Sequence, residues 1–210
     1  MRRGAGVEES NMAEGSNKTI IRKQLREKLA AMSPDQRRAK SIAACDLIAA
    51  SPEFHQAWVI MLFLSTSEEV DTAPLALRAW QAGKTVVVPK VSWDQKRILP
   101  VEINSLQTGL TVSGTGVREP VAGKPVPLEF IDLVIVPGLG FTEKGHRIGR
   151  GMGFYDRFLA QSDFMGLSCG LCFQEQVVSE LPMLDHDMPL SMLVSDHGIR
   201  RFSTSCIRQP

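Results

Sequence analysis

Residues 132–156, DLVIVPGLGFTEKGHRIGRGMGFYD, decide how the rest of the chain is read. The stretch opens on an apolar, branched run ending at Val136, the signature of a strand buried on both faces. Pro137 and Gly138 stop that strand. Six of the chain's 17 glycines (138, 140, 145, 149, 151 and 153) then fall close together, with Lys144, Arg147 and Arg150 among them. Glycine lets a ligand approach the backbone amides without interference from Cβ. After Gly153 the sequence FYDRFLA reads as the opening of a helix. A strand, a basic glycine-rich loop and a helix start together offer N–H groups and positive charge to an anion, phosphate above all. The spacing is neither the dinucleotide fingerprint, whose glycines directly follow the strand, nor a Walker A loop, which ends in Gly-Lys-Ser/Thr.

Working outward, 210 residues suit one domain with a sizeable core. Lys plus Arg number 24 against 23 Asp plus Glu, a net charge of +1 that gives no global pull toward nucleic acid or a membrane. No apolar run approaches the ~20 residues of a transmembrane helix. Glu8, Glu9 and Glu14 speak against a transit peptide, and no apolar segment suits secretion, so the cytosol is the expected location. The C-x-x-C of Cys169 and Cys172 lies in a strand-like run with no second pair, and reads as two buried thiols.

Residues 1–16 lack apolar periodicity and are expected to form a disordered tail, leaving 17–203 as a single α/β domain. From Asn17, Ile21, Leu25, Leu29 and Met32 recur at helical spacing amid basic residues. Ser33-Pro34 and Ser51-Pro52 are helix starts, with Ile42, Ala43, Leu47 and Ile48 expected inward on the helix between them. Residues 58–65 (WVIMLFLS) read as a buried strand, followed by a polar loop carrying Glu69, a helix capped by Thr72, and a strand at 85–89. Residues 91–103 suggest a strand or hairpin, and 104–127 a loop with a turn at 118–120. Further strands are expected at 167–173 and 192–195. Alternating strands and helices predict a mainly parallel, doubly wound sheet, which places ligands at the carboxyl ends of its strands.

With these segments in hand the chain resembles the 5-formyltetrahydrofolate cyclo-ligase (methenyltetrahydrofolate synthetase) family. The resemblance is carried by the basic amino-terminal helix with Lys18 and Arg22, by FLSTSEEVDT (63–72), by VPGLGFTEKGHRIGRGMGFYDRFL (136–159) and by LPMLDHDMPL (181–190). It implies a Rossmann-like α/β fold similar to sugar-phosphate isomerases and CoA transferases. It also implies ATP- and Mg2+-dependent closure of 5-formyltetrahydrofolate to 5,10-methenyltetrahydrofolate, with ADP and phosphate released through a phosphorylated formyl intermediate. The partners implied are these small molecules alone, bound by a monomer without nucleic acid or membrane. Three positions depart from the family's pattern: Thr142 stands where Asp is usual, with Glu143 the candidate to replace it; Met152 stands where some members have Lys; and Phe154 replaces a Tyr.

Carried onto this sequence, the resemblance makes Arg147 and Arg150 catalytic, because a guanidinium matches phosphate bidentately and keeps its charge. ATP is expected on Lys18, Arg22, Arg147, Gly149, Arg150, Gly151, Met152, Gly153 and Tyr155. The folate substrate is expected on Leu64, Glu69, Arg150, Phe154 and Tyr155, with the Glu69 carboxylate accepting hydrogen bonds from the pterin. Asp156 and Asp187 are the expected magnesium ligands, hard oxygens of the kind that ion uses beside water and phosphate. His186 is left outside the catalytic set. Two readings of other classes stand beside this one: a silent relative that binds RNA, which the neutral charge disfavours, and a sugar-phosphate isomerase-like enzyme, which would need no ATP.

Overall fold

A computed structural model describes residues 5–114 and 116–202, with side chains from Asn17 on. In chain order come helices α1 (Ala5–Ala30), α2 (Pro34–Ala49) and α3 (Pro52–Gln56), strand β1 (Val59–Met61), helix α4 (Ala73–Gln81), and strands β2 (Thr85–Ser92), β3 (Arg97–Ile103), β4 (Leu110–Val112) and β5 (Arg118–Pro120). Strands β6 (Leu133–Val136), β7 (Gly140–Thr142) and β8 (Arg147–Ile148) lead to helix α5 (Phe154–Leu159). Strands β9 (Leu167–Leu171), β10 (Val177–Val178), β11 (Met192–Ser195) and β12 (Gly198–Arg201) complete the described chain.

The main sheet has seven strands in the order β12-β11-β9-β6-β1-β2-β3. Its centre, from β11 to β2, is parallel, and an antiparallel partner closes each edge, β12 on one side and β3 on the other. Numbering only the parallel strands gives 2-1-3-4-5, with the order reversing between β1 and β6. Every residue of β6 is buried, as a central parallel strand requires. Its side chains alternate between two cores: Leu133 and Ile135 join α1–α4, whereas Val134 and Val136 join Phe158 and Leu159 of α5. The result is a mixed, mostly parallel sheet with helices on both faces.

Local chemistry explains the helix starts. Ser33 Oγ accepts from Gln36 N, and Gln36 Oε1 accepts from Ser33 N, a reciprocal cap with proline at the first helical position. Ser51 Oγ accepts likewise from Phe54 N. Thr72 does not cap α4 with its side chain; its hydroxyl donates to Phe63 O at 2.6 Å, tying the loop after β1 to the helix start.

Several expectations change. The expected tail over 1–16 lies outside the described residues only for its first four. From Ala5 the backbone is helical and continuous with the helix expected from Asn17; adding one hydrogen bond per residue to an existing helix needs no apolar periodicity. The inward face of α2 is Ser41, Ala44, Cys45 and Ile48, an unbroken i, i+3, i+4, i+7 stripe, which leaves Ile42 exposed. The strand expected over 58–65 is only Val59–Met61. Trp58 is 73% exposed, and the chain beyond Met61 keeps one ladder bond, Leu62 N to Val87 O, before turning into the loop. Residues 118–120 form a strand rather than a turn, paired with 110–112. The glycine-rich loop contains the β7–β8 hairpin, and β7 also pairs with β10. Cys169 and Cys172 are buried free thiols, and burial pushes both above the usual thiol range.

Helix α2 is fastened to the end of β11 through Lys40, whose ammonium reaches Asp196 and Glu175, each at 2.8 Å. Burial would push the Asp196 carboxyl up, but hydrogen bonds from Lys40 and the Gln174 N–H outweigh it and hold that carboxyl below its ordinary range. A group whose pKa is depressed by folding stabilises above its unfolded pKa, and that contribution is lost as pH falls through the folded value. Asp196→Asn is therefore expected to cost about 1–3 kcal/mol near neutral pH. Chemical denaturation at a series of pH values should show the gap to the parent closing below about pH 4.

Candidate functional site

The sheet's reversal point opens into a cavity of about 580 Å3. Two loops meet there because β1 and β6 are neighbours running in the same direction. The loop after β1 brings Leu64, Thr66 and Glu69; the loop after β6 brings residues 147–156. Helix α1 contributes Lys18 and Arg22 from one side, and the segment before β11 contributes Leu184, His186 and Asp187. All fourteen residues singled out from the sequence line this one cavity: Lys18, Arg22, Leu64, Glu69, Arg147, Gly149, Arg150, Gly151, Met152, Gly153, Phe154, Tyr155, Asp156 and Asp187.

The charges are mostly paired. Lys18 Nζ lies 2.5 Å from Asp187 Oδ2, with both side chains nearly buried. The same oxygen accepts from Leu184 N at 2.8 Å, so the acidic segment forms a turn closed by its own carboxylate. Arg147 Nη2 donates to Asp156 Oδ1 at 2.6 Å, and the arginine side chain is only 4% exposed. Arg150, 44% exposed, donates through Nη2 to Glu69 Oε1 at 3.2 Å and to Thr66 Oγ1 at 3.3 Å. Arg22 pairs with backbone instead, donating from Nε to Gly149 O at 3.0 Å. The four cations thus differ in burial: Arg147 is deep and paired with Asp156, whereas Arg150 is partly open to solvent.

The glycines divide by role. A Cβ on Gly138 would meet the Phe141 ring at 2.7 Å, and one on Gly140 would meet Leu25 at 2.6 Å, so these two permit packing inside the protein. Gly151 and Gly153 hold φ of +109° and +62° and shape the loop on the cavity wall. Helix α5 is only six residues long, so the positive charge that this loop brings to the cavity comes from its arginines rather than from a helix terminus.

Thr142 is buried outside the cavity wall, with Oγ1 accepting from Lys144 N and His146 N at 3.3 and 3.2 Å. It therefore orders the β7–β8 turn. Glu143 does not stand in for a missing carboxylate at the cavity, since it pairs with Arg200 at 2.7 Å. Tyr155 packs its ring 5.9 Å from the Arg147 guanidinium. Its hydroxyl is buried with no hydrogen-bond partner among the described residues. Burial, then the nearby Glu69 charge, push it above the usual phenol range.

The wall also contains residues the sequence did not single out. Thr66 sits between Glu69 and Arg150. Trp93, in the turn between β2 and β3, packs edge-on against Phe154 at 5.3 Å. Arg157 holds that turn in place, donating to Lys96 O at 2.7 Å and Met152 O at 2.8 Å. An exposed tryptophan in a hairpin turn was the available signal for this wall.

As a metal site the donor set is spare. No group of three His, Cys, Asp or Glu side chains able to hold a metal ion exists among the described residues. The hydrogen bonds of Asp156 fall on Oδ1 and those of Asp187 on Oδ2, so each keeps an oxygen for a ligand. One or two carboxylates beside water and phosphate oxygens is the set magnesium takes in nucleotide sites, and these two residues fit it.

Comparison with known proteins places this architecture. A family model described as the 5-formyltetrahydrofolate cyclo-ligase family matches residues 14–196. The chain is 30% identical over 175 residues to the 5-formyltetrahydrofolate cyclo-ligase of Escherichia coli K12, covering 81% of this chain and 96% of that one. It is 27% identical to the mouse protein of the same name over 183 residues, covering 82% and 90%. The solved structure of a 5,10-methenyltetrahydrofolate synthetase from Aquifex aeolicus superposes with a TM-score of 0.78 at 30% identity, covering 92% of this chain and 96% of that one. One from Mycoplasma pneumoniae gives 0.69 at 22% identity, covering 85% and 98%, and shares the fold.

The unequal burial of the two loop arginines separates their structural roles. Arg147→Met, which leaves Asp156 without its partner, is expected to cost about 3–5 kcal/mol in denaturant unfolding. Arg150→Met should change stability by less than about 1 kcal/mol.

Proposed function

Because the chain belongs to the 5-formyltetrahydrofolate cyclo-ligase family of enzymes, we propose that it closes 5-formyltetrahydrofolate to 5,10-methenyltetrahydrofolate at the expense of ATP. The fold expected to go with this is the Rossmann-like one of the sugar-phosphate isomerases and CoA transferases. The observation that carries the proposal is the contact between Arg150 and Glu69 inside one cavity. One residue belongs to the glycine-rich anion loop and the other is the carboxylate suited to a pterin edge. A formyl group on a pterin held by Glu69 would lie beside a phosphate held by that loop.

The formyl oxygen is a poor leaving group, and activation solves the problem. That oxygen attacks the γ-phosphorus of ATP, ADP departs, and N5 carries an iminium carbon bearing phosphate. N10 then bonds to this carbon, the carbon–oxygen bond breaks, phosphate leaves and N10 gives up its proton, closing the five-membered ring. Glu69 fixes the pterin by accepting from its N–H groups, with Leu64 and Tyr155 packed on the ring. Lys18, Arg22 and Arg147, with the amides of Gly149, Gly151 and Gly153, hold the triphosphate. Arg150 neutralises the transferring group, so most of the catalysis is positioning and charge stabilisation. Met152, Phe154 and Tyr155 line the nucleotide and folate sides of the same wall. Asp156 and Asp187 would hold magnesium, which when bound supplies charge neutralisation to the phosphates. A monomeric, cytosolic enzyme with small-molecule partners completes the proposal.

Absorbance of the methenyl product should rise only when 5-formyltetrahydrofolate, ATP and magnesium are all present; product formed without nucleotide would overturn the proposal. Arg150→Ala should lower turnover by on the order of 100-fold, the loss expected on removing one preorganised charge stabiliser. Asp156→Asn and Asp187→Asn should each raise the magnesium concentration needed for half-maximal rate. Coincident magnesium titrations for both variants and the parent would remove these residues from the metal site.

A further inference from the structure

The two halves of the cavity, the carboxylate suited to a pterin and the arginine suited to a phosphate, are joined through a side chain with no part in the proposed chemistry. Thr66 is the first residue of the turn that carries Glu69, and Glu69 N closes that turn on Thr66 O at 3.3 Å. The Glu69 carboxylate folds back over it. Its Oε2 accepts from Thr66 N at 2.9 Å and from Thr66 Oγ1 at 3.1 Å. The same hydroxyl accepts from Arg150 Nη2 at 3.3 Å, while Arg150 also reaches the other carboxylate oxygen, Oε1, at 3.2 Å.

These contacts match the valence of a hydroxyl, which has one proton to donate and lone pairs to accept with. Its proton goes to Glu69 and a lone pair receives Arg150, so both bonds are charge-assisted. The backbone bond from Thr66 N to Glu69 Oε2 does not depend on the side chain. The hydroxyl adds a direction to that arrangement. It fixes which carboxylate oxygen stays on the turn and which faces Arg150, and it gives the half-exposed Arg150 a second, neutral anchor.

We propose that Thr66 is a positioning residue that couples the two substrate halves, its hydroxyl linking the Glu69 carboxylate to the Arg150 guanidinium. This rests on the cyclo-ligase function proposed above. A pterin that draws on Glu69 weakens the hold of Oε1 on Arg150. The arginine remains tethered by the hydroxyl and turns toward the phosphate instead of swinging into solvent. Occupancy of the folate half therefore readies the phosphate half, and the coupling is reciprocal, as any equilibrium coupling must be.

The test compares Thr66→Val, which keeps the shape and the backbone bond but removes the hydroxyl, with Thr66→Ser, which restores it. Calorimetry gives the affinity for 5-formyltetrahydrofolate with and without a non-hydrolysable ATP analogue, and absorbance gives kcat and KM. In the parent the analogue is expected to tighten folate binding. In Thr66→Val that tightening should vanish and kcat should fall roughly 10-fold, the loss expected for hydrogen bonds to charged groups. Each ligand alone should bind within a few-fold of its parent affinity, and Thr66→Ser should recover both coupling and kcat. Parental coupling and kcat in Thr66→Val would overturn the proposal, as would a Thr66→Ser variant as impaired as the valine. An inactive parent would instead overturn the function on which it rests, so the two failures are distinguishable.

Discussion

Strands β1 and β6 lie side by side and point the same way, and the cavity depends on that pairing. Parallel neighbours deliver their carboxyl ends to the same edge of the sheet, and the strand order reverses between these two. The connections that follow leave in different directions, and the space between them is where an open α/β sheet receives ligands. The turn carrying Glu69 follows β1 and the glycine-rich loop follows β6. Residues 81 apart in sequence, Glu69 and Arg150, thereby come within hydrogen-bonding reach. Burial on both faces gives the strands little room to slip, because a one-residue shift would exchange the two cores.

The same geometry explains why the cavity holds its charges in pairs. Lys18, Arg147 and Arg150 each meet a carboxylate, and at least the Arg147–Asp156 pair is deep enough that desolvation weighs against it. Such pairs add little net stability but fix the position of both partners. They also set the terms on which ligands enter. On the function proposed, a triphosphate would compete with Asp187, Asp156 and Glu69 for the cations, and a metal or a pterin would compete with the cations for the carboxylates. The two kinds of ligand would then relieve each other's competition on binding together, as the proposed reaction of a nucleotide with a folate in one site requires.

Much of this was legible in the sequence because it is local chemistry. The buried run ending at Val136, the glycine spacing of 149–153 and the Ser-Pro helix starts each carry their own physical signal. Of these segments the glycine loop lines the cavity, whereas Lys18, Arg22, Leu64, Glu69 and Asp187, which line it too, were named by the family resemblance. What was not legible is either too short for a period or too distant for a pattern. Strands of two or three residues, such as β7 and β8, hide among glycines because alternation needs more length to show. The Lys18–Asp187 pair spans 169 residues and exists only through the fold. The contacts of Thr142 and Glu143 depended likewise on where the β7–β8 turn points, which set the first to order the turn from the end of β7 and the second against Arg200. Thr66 carried no signal in the sequence, since a hydroxyl in a polar loop is ordinary until its two charged partners are known.

In the chemistry proposed for the cavity, the formyl oxygen of the substrate takes a phosphoryl group from ATP before the ring closes. The most direct measurement follows that oxygen. 5-Formyltetrahydrofolate carrying a heavy-oxygen label in its formyl group is turned over with magnesium and ATP in unlabelled water, and the released inorganic phosphate is weighed by mass spectrometry. Each phosphate should carry one labelled oxygen, taken from the formyl group when its carbon–oxygen bond breaks. Unlabelled phosphate, formed in step with the methenyl product, would mean that ATP is spent without activating the formyl oxygen, and would contradict the account.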